Sequence, residues 1–246
     1  MCGVCGCGEP DLVHAHAHGD RPAHDHGMHD ETRRLAVEQS LFEDNRRHAA
    51  AVAGRLAARG IDAIGLVGGP GAGKTALLEA TFARLGRDAA GREAVVEGDC
   101  ATDHDARRVA ACGARVVQVV TGSLCHLDAH LVGHALDDLD LAGVTRLWIE
   151  NVGNLVCPAP FPCGERRRVV VISVPEGDDK PEKYPALFAG ADLLVVSKAD
   201  LLPHVDFDVE RCVAGARKAR AALAWMLLSA RSGVGLDAWL DWVRSA

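Results

Sequence analysis

Short hydrophobic runs alternate with longer amphipathic segments along most of the chain. The runs have the length and the β-branched content of buried strands, and they predict strands at 61–67, 93–98, 115–120, 145–150, 168–174, 192–197 and 225–229. The segments between them predict helices at about 74–86, 103–112, 127–140, 207–221 and 234–245. Strands that alternate with helices indicate an α/β fold, in which a mostly parallel sheet carries helices on both faces.

The N-terminal part of the chain has a different pattern. Residues 1–31 contain three cysteines and six histidines but almost no aliphatic residues, so this segment cannot bury enough apolar surface to fold alone. From Thr32 to Gly60 the apolar positions fall close to one helical face. We therefore predict a flexible Cys/His-rich tail over 1–31 and one domain over 32–246 that begins with a helix.

Charge and hydropathy exclude several classes of partner. The net charge is −7 and the basic runs are short, which argues against binding to nucleic acid. No run of 18 uncharged apolar residues is present, so no membrane association is expected. Without a visible signal peptide, the nine cysteines are interpreted as thiols or metal ligands, and a cytoplasmic location is expected.

A phosphate-binding motif follows the first predicted strand. It has the form G-x-x-x-x-G-K-[ST], and its residues are Gly68, Gly69, Pro70, Gly71, Ala72, Gly73, Lys74 and Thr75. In a P-loop NTPase such a loop turns backbone N–H groups toward phosphate oxygens at the start of a helix. Lys74 is then expected on the β- and γ-phosphates and the Thr75 hydroxyl on Mg²⁺. The motif predicts binding of a nucleoside triphosphate.

The base is expected further along the chain. Ser197-Lys198-Ala199-Asp200 is similar to the N-K-x-D motif of GTPases, with Ser in place of Asn, and Ser229-Ala230 is similar to the loop that covers the base. A carboxylate at Asp200 can accept hydrogen bonds from guanine N1–H and the exocyclic amine. So short a pattern is also compatible with a polar cluster at a strand end. Its order after the phosphate loop favours GTP.

Two further strand ends carry acids. Glu150 closes one predicted strand and is followed by Gly153, whose N–H could contact the γ-phosphate. Asp99 closes another, and either acid could contribute to a Mg²⁺ site. Lys74, Thr75, Asp99, Glu150 and Gly153 are therefore the predicted catalytic residues.

The tail begins with a possible metal site. Cys2, Cys5 and Cys7 form a C-x-x-C-x-C array, in which three thiolates can converge on one ion, and the histidines that follow suit Ni²⁺, Zn²⁺ or Cu²⁺. An exposed C-x-x-C could instead be a redox pair. Metal binding is the better interpretation, because redox motifs of this kind open a helix within a βαβ unit and this one leads a tail.

A second possible metal site lies in the domain. Cys125, His126 and Cys157 follow predicted strands, and the carboxyl ends of parallel strands share one edge of the sheet. Taken alone, two cysteines and a histidine are also compatible with buried structural residues. Cys100, Cys112 and Cys212 are expected to be small core residues.

Taken together, these motifs resemble the HypB GTPases, which assist nickel insertion into [NiFe]-hydrogenase precursors. The resemblance covers essentially the whole chain and also depends on three further segments: Glu97–Asp99, Glu150–Pro158 and Glu176–Pro185. It implies a tight nickel site at Cys2, Cys5 and Cys7. It also implies a weaker nickel or zinc site at Cys125, His126 and Cys157, near the interface of a GTP-dependent homodimer.

The resemblance implies partners as well. These are a HypA-type nickel chaperone, the hydrogenase large-subunit precursor and, as a possible further partner, a nickel donor of the prolyl-isomerase type. Two alternative functions are those of a urease-type nickel GTPase similar to UreG and of a nickel storage protein. The C-x-x-C-x-C array argues against the first, and the intact Lys74 and Thr75 argue against the second.

Overall fold

The computed structural model describes residues 26–245, including the side chains of Val37 and of residues 39–245. The chain divides into two compact units, residues 1–38 and 39–246, and the sheet lies in the second. Within the described residues the helices are α1 His26–Ala57, α2 Lys74–Leu85, α3 Arg87–Ala90, α4 His104–Ala111, α5 Ala129–Asp138, α6 Lys180–Lys183, α7 Pro185–Ala189, α8 Val209–Ala219 and α9 Leu236–Arg244. The strands are β1 Asp62–Gly68, β2 Glu93–Asp99, β3 Arg115–Val120, β4 Arg146–Glu150, β5 Arg167–Ser173, β6 Leu193–Ser197 and β7 Ala224–Leu227.

All strands of the described part join one parallel sheet, in the order β3-β2-β4-β1-β5-β6-β7. β1, β5 and β6 are almost continuously buried, as expected for strands covered on both faces. The predicted α/β fold with a parallel sheet and helices on both faces is confirmed. Each predicted strand is present, displaced by at most a residue or two at its ends.

Three hydrophobic clusters hold the helices against the sheet. One joins α2 and α9 through Phe82, Trp148 and Trp239. A second places Val52 and Leu56 of α1 against α5, and a third packs α7 and α8 around Phe188. The helices are thereby fixed on both faces, and the loops at the carboxyl ends of the strands lie on a rigid support.

The helix predictions differ from the structure in two ways. α1 begins at His26, so residues 26–31 of the predicted tail are helical, and the rest of that tail lies outside the described residues. The short helices α3, α6 and α7 were not predicted, because four or five residues are too few to show a helical period.

Candidate functional site

The phosphate-binding motif forms a tight loop between β1 and α2. Gly71 and Gly73 have φ values of 72° and 94°, which favour glycine. A Cβ atom on Gly68 would lie 2.1 Å from the Val171 carbonyl oxygen of β5, and one on Gly69 would lie 2.2 Å from Glu176 Oε1. Any larger residue at position 68 would push the loop off the sheet, so Gly68 has a steric cause, whereas at Gly69 the contact is with the end of a flexible side chain.

Lys74 lies at the N-terminal end of α2 and is buried. Its Nζ donates to the carbonyl oxygens of Gly68 and Gly69, at 3.4 and 3.3 Å. Burial lowers the pKa of Lys74, although the nearby Glu150 partly opposes this shift. The ammonium group is thus held against the phosphate-binding loop, where a bound triphosphate would also lie.

Two buried carboxylates lie side by side beneath this loop. Glu97 of β2 and Glu150 of β4 are register partners in the sheet. Burial, followed by repulsion from Glu150, raises the pKa of Glu97 to about 8, and burial raises the pKa of Glu150 to about 7. Glu150 Oε1 accepts a 2.7 Å hydrogen bond from the Thr75 hydroxyl. The Oε2 atoms of both carboxylates have no hydrogen-bond partner among the described residues.

Asp99 and Asp105 complete the acidic group. Ligand oxygens of Glu97, Asp99 and Asp105 lie within 4.8 Å of one another. Asp99 also accepts hydrogen bonds from the Ala101 N–H at 3.0 Å and the Thr102 hydroxyl at 2.9 Å, which lower its pKa despite some burial. Hard oxygen ligands of this kind, with two buried oxygens unpaired, fit Mg²⁺. Sequence reasoning named Asp99 and Glu150 here but missed Glu97 and Asp105 as candidate ligands.

These groups line a cavity of about 390 Å³. Its walls also include Gly153, and a Cβ atom on that residue would lie 2.7 Å from the Pro70 Cα atom. The loop after β4 therefore lies directly against the phosphate-binding loop. The predicted catalytic residues Lys74, Thr75, Asp99, Glu150 and Gly153 all border this one cavity.

A second cavity of about 250 Å³ adjoins the first and shares Gly73 and Ala76 with it. It is lined by Ser197, Lys198, Asp200, Ser229 and Ala230, the residues predicted to contact the base. The Ser229 hydroxyl donates to Asp200 Oδ1 at 2.5 Å, and this bond is the largest cause of the lowered pKa of Asp200. The carboxylate is therefore charged and oriented.

Ser197 has a contact that its motif position did not predict. Its hydroxyl donates to the Ala72 carbonyl oxygen at 2.5 Å, and its side chain is buried. Ser197 therefore ties β6 to the phosphate-binding loop. This contact accounts for a small hydroxyl residue at the position where the motif usually has Asn.

The predicted internal metal ligands meet at the same edge of the sheet. One ligand atom from each of Cys125, His126 and Cys157 lies within 4.8 Å of the others. A hydrogen bond with Cys157, followed by partial burial, raises the pKa of Cys125, whereas burial lowers that of His126. His126 is thereby kept neutral, the form that binds metals. Two thiols and one neutral imidazole suit Ni²⁺ or Zn²⁺.

Two side-chain amides hold the loops that carry these ligands. Asn154 Oδ1 accepts from the Val156 and Cys157 N–H groups, and the Asn154 N–H donates to the Gly68 carbonyl oxygen at 2.9 Å. The Asn151 side chain makes two hydrogen bonds with the Leu127 main chain, next to His126. The Cys157 loop is thus bonded directly to the phosphate-binding loop.

A buried ion pair supports the rest of the Cys157 loop. The Arg168 guanidinium donates to the carbonyl oxygens of Pro158, Ala159 and Phe161 and pairs with Glu165. The Phe161 ring lies 4.4 Å from the His126 ring between centroids. Arg168 therefore fixes a proline-rich segment that would otherwise have few hydrogen bonds.

The other cysteines of the described part differ from one another. Cys212 is buried as expected, Cys112 is half-buried, and Cys100 is exposed at the rim of the larger cavity, so its assignment to the core was wrong. Cys163 is buried, and burial raises its pKa well above that of a free thiol. Cys2, Cys5 and Cys7 lie outside the described residues.

Comparison with known proteins agrees with this geometry. Residues 62–226 match the model of the CobW/HypB/UreG nucleotide-binding domain. The chain is 49% identical over 225 residues to the hydrogenase maturation factor HypB of Azotobacter vinelandii, and the match covers 92% of this chain and 73% of that protein.

This chain belongs to the HypB family. Two solved HypB structures share its fold. The Archaeoglobus fulgidus protein has 37% identity and a TM-score of 0.76, covering 82% of this chain and 98% of the other. HypB from Helicobacter pylori, solved in complex with nickel, has 34% identity and a TM-score of 0.77, covering 82% and 94%.

Membership of the HypB family makes the chain a nucleotide-binding P-loop protein. No helix in the described part of the chain is long and apolar enough to cross a membrane. Of the two residues that sequence reasoning missed, Asp105 lies on α4 and carried no signal, but Glu97 did, because it is a buried glutamate inside an otherwise hydrophobic strand. Such a residue is rare unless the charge is paired or binds a cation.

Proposed function

We propose that this protein is a GTP-hydrolysing nickel metallochaperone that assists nickel insertion during [NiFe]-hydrogenase maturation. One observation carries the proposal: the thiol and imidazole cluster and the nucleotide cavity are built on neighbouring loops at one edge of the sheet. β4 ends in Glu150 at the cavity, and the loop that follows it carries Cys157. Family membership supports the same function.

The nucleotide is GTP in this proposal. A charged, oriented Asp200 in the smaller cavity can accept the two donors of guanine, and adenine lacks that donor pair. Thr75 and the Glu97–Glu150 pair, with Asp99 or Asp105, would hold Mg²⁺. When bound, Mg²⁺ would neutralise charge on the β- and γ-phosphoryl oxygens. Lys74 would bind the same phosphates, and intrinsic hydrolysis would be slow.

Nickel is the cargo in this mechanism. The ion binds Cys125, His126 and Cys157 with loss of thiol protons, so its affinity falls at acid pH. The Cys157 loop is hydrogen-bonded to Gly68, so a change at the phosphates biases nickel affinity, and nickel biases nucleotide binding by the same free energy. Zinc can occupy the same ligands.

Several elements of the proposal rest on the family resemblance alone. Cys2, Cys5 and Cys7 would form the tighter nickel site. A GTP-dependent homodimer would form, and the partners would be a HypA-type chaperone and the hydrogenase large-subunit precursor. A storage role for the histidine-rich segment is compatible with this function and would add to it.

One preparation of the full chain can test the proposal. GTP hydrolysis is measured with GTP, and on the same preparation bound nickel is measured with GDP and with a non-hydrolysable GTP analogue. We expect slow hydrolysis, specific for GTP over ATP, and a nickel affinity that differs between the two nucleotides. A pure storage protein would bind nickel equally in both states and would not hydrolyse GTP. Transfer of nickel to apo-urease but not to the hydrogenase precursor would favour a UreG-like function.

Recognition of the base has its own test. Asp200→Asn replaces an acceptor pair by an amide, and we expect preference to move from GTP toward xanthosine triphosphate, measured by competitive binding. Ser197→Ala is the matched variant, since it removes the bond to Ala72 without touching the carboxylate. An unchanged preference in Asp200→Asn would place recognition of guanine elsewhere.

A further inference from the structure

Asn151 is the first residue after Glu150 and is buried. Its main-chain N–H donates to the Leu66 carbonyl oxygen of β1 at 3.0 Å, so its backbone continues the sheet. Its side chain reaches across to the loop after β3. Asn151 Oδ1 accepts from the Leu127 N–H at 2.8 Å, and Asn151 Nδ2 donates to the Leu127 carbonyl oxygen at 3.2 Å.

Leu127 lies between the two candidate sites. It follows His126 in the chain, and its side chain is fully buried against Gly98. A Cβ atom on Gly98 would lie 2.5 Å from Leu127 Cγ, so the two residues are in close contact. Gly98 is flanked by Glu97 and Asp99 of the acidic group. The Leu127 side chain therefore packs against a residue that lines the nucleotide cavity, and its main chain follows directly from the metal ligand His126.

We infer that Asn151 is a positioning residue that transmits the state of the nucleotide cavity to the metal ligands through the Leu127 main chain. This inference rests on the proposed function. The side-chain amide both donates and accepts, so it fixes the position and the orientation of the Leu127 peptide groups. When the end of β4 moves with Glu150, Asn151 moves with it, and His126 is displaced relative to Cys157.

The chain contains a matched control. Asn45 of α1 is also buried, and it makes the same pair of hydrogen bonds to main chain: Oδ1 accepts from the Ala129 N–H at 2.9 Å, and Nδ2 donates to the Pro162 carbonyl oxygen at 2.9 Å. Asn45 thus also holds the segments that follow β3 and β4, but it lies on a helix and does not follow β4. If Asn151 were only a structural clamp, the two asparagines would behave alike.

The test measures nickel affinity in two nucleotide states. It uses the full chain with Cys2, Cys5 and Cys7 changed to Ser, and follows nickel–thiolate charge-transfer absorbance, to which histidine-only sites do not contribute. The Cys157→Ala variant supplies the blank. Nickel Kd is determined with GDP and with a non-hydrolysable GTP analogue for the parent, Asn151→Ala and Asn45→Ala, and nucleotide saturation is checked for each.

We expect the parent Kd values to differ by about fivefold or more between the two states. Asn151→Ala should reduce this ratio to less than about twofold, whereas Asn45→Ala should keep it, even if both of its Kd values change. An unchanged ratio in Asn151→Ala, or an equal loss in Asn45→Ala, overturns the inference and leaves the proposed function standing. A parent that binds nickel equally in both states overturns the inference and the metal switch together.

Hydrogen exchange on the unmutated chain gives a second test that does not depend on whether a variant folds. The Leu127 amide, which donates to Asn151, should change its exchange rate between the two nucleotide states. The Ala129 amide, which donates to Asn45, should change less. Equal rates for Leu127 in both states would contradict the inference.

Discussion

The carboxylate pair and the metal-ligand cluster lie at one edge of the sheet, but they are held in different ways. Glu97 and Glu150 are register partners on adjacent strands, so the sheet itself sets their separation. Cys125, His126 and Cys157 lie on loops, and their positions depend on hydrogen bonds that these loops make with the side chains of Asn151, Asn154 and Arg168. The spacing of the first group is set by strand pairing and its charges repel, whereas the second group can be adjusted by small movements of its supports, which include the end of β4.

The difference has a physical consequence for each site. Two buried carboxylates repel each other and keep unpaired oxygens, which costs stability until a cation binds. The thiols are near the surface and have little such cost. We therefore expect the nucleotide site to be prepared before its ligand arrives, and in the proposed function the metal site is completed by loops that respond to the nucleotide.

The largest expected effect is on GTP hydrolysis, and it tests whether the nucleotide site and the metal site are separate. Lys74→Ala removes the buried cation beneath the phosphate loop, and we expect GTP hydrolysis to fall on the order of 100-fold or more. Nickel binding at Cys125, His126 and Cys157 should persist but lose its dependence on nucleotide. Hydrolysis assays and nickel titrations on the same sample check this. Loss of both activities together would show that the two regions are one site.

Removal of a metal ligand tests the other region. Cys157→Ala should weaken nickel binding at the internal site by about 100-fold, because only one thiol and one imidazole remain, while GTP hydrolysis without metal continues. Cys212→Ala is the control, since that thiol is buried in the third core cluster. If Cys212→Ala weakened nickel binding equally, the cluster would not be the site.

Glu97→Gln should raise stability, which is unusual for a change at a functional site. The folded pKa of Glu97 is about 8 and the ordinary value is 4.5, so the folded protein holds a proton that the unfolded chain releases. Stability is therefore lost as pH rises from about 4.5 to 8. At pH 8 without nucleotide, we expect Glu97→Gln to add on the order of 2 kcal/mol to the free energy of unfolding and to flatten its pH dependence.

Glu93→Gln provides the contrast for this measurement. Glu93 is buried on the same strand, but its oxygens accept hydrogen bonds from Arg146 Nη1 at 3.2 Å and Trp148 Nε1 at 2.6 Å. Glu93→Gln should therefore destabilise the protein. Urea unfolding at pH 5 and pH 8 compares the variants. A destabilised Glu97→Gln would mean that the Glu97 charge is compensated in the folded state.

The smallest effect concerns the loop support. Arg168→Lys keeps the charge but loses the fork that reaches three carbonyl oxygens, and we expect nickel affinity to fall by about tenfold. Nucleotide affinity in the absence of metal should stay the same. Arg167→Lys, on the adjacent residue facing Asp62, is the control. Equal nickel affinities in wild type and Arg168→Lys would show that the Cys157 loop needs no such support.

Sequence reasoning recovered the strands because their hydrophobic runs are bounded by turns, and it recovered the nucleotide motifs because glycine, lysine and aspartate occupy fixed spacings. Cys125, His126 and Cys157 were assigned to one site chiefly by resemblance, since residues 32 positions apart in the chain carry no spacing signal. The structure brings their ligand atoms together.

Other features depend on tertiary contacts and could not be predicted. Nothing in the sequence distinguishes Asn151, which bridges two loops, from any polar residue after a strand. The same holds for Arg168, which is one of three consecutive arginines and is buried, whereas Arg166 is exposed. The short helices were missed because their residues are fixed by packing and not by an amphipathic period.

The strand order also dictates when this site can exist during synthesis. β1 pairs only with β4 and β5, and β2 reaches the rest of the sheet only through β4. The Thr75 hydroxyl and its partner Glu150 are 75 residues apart, which at about 5–20 residues per second is roughly 4–15 s of translation. Throughout that interval the nascent chain carries a phosphate loop without Glu150, even after Glu97, Asp99 and Asp105 have been made. Cys125 is likewise made before Cys157, so an ion captured early meets an incomplete set of ligands.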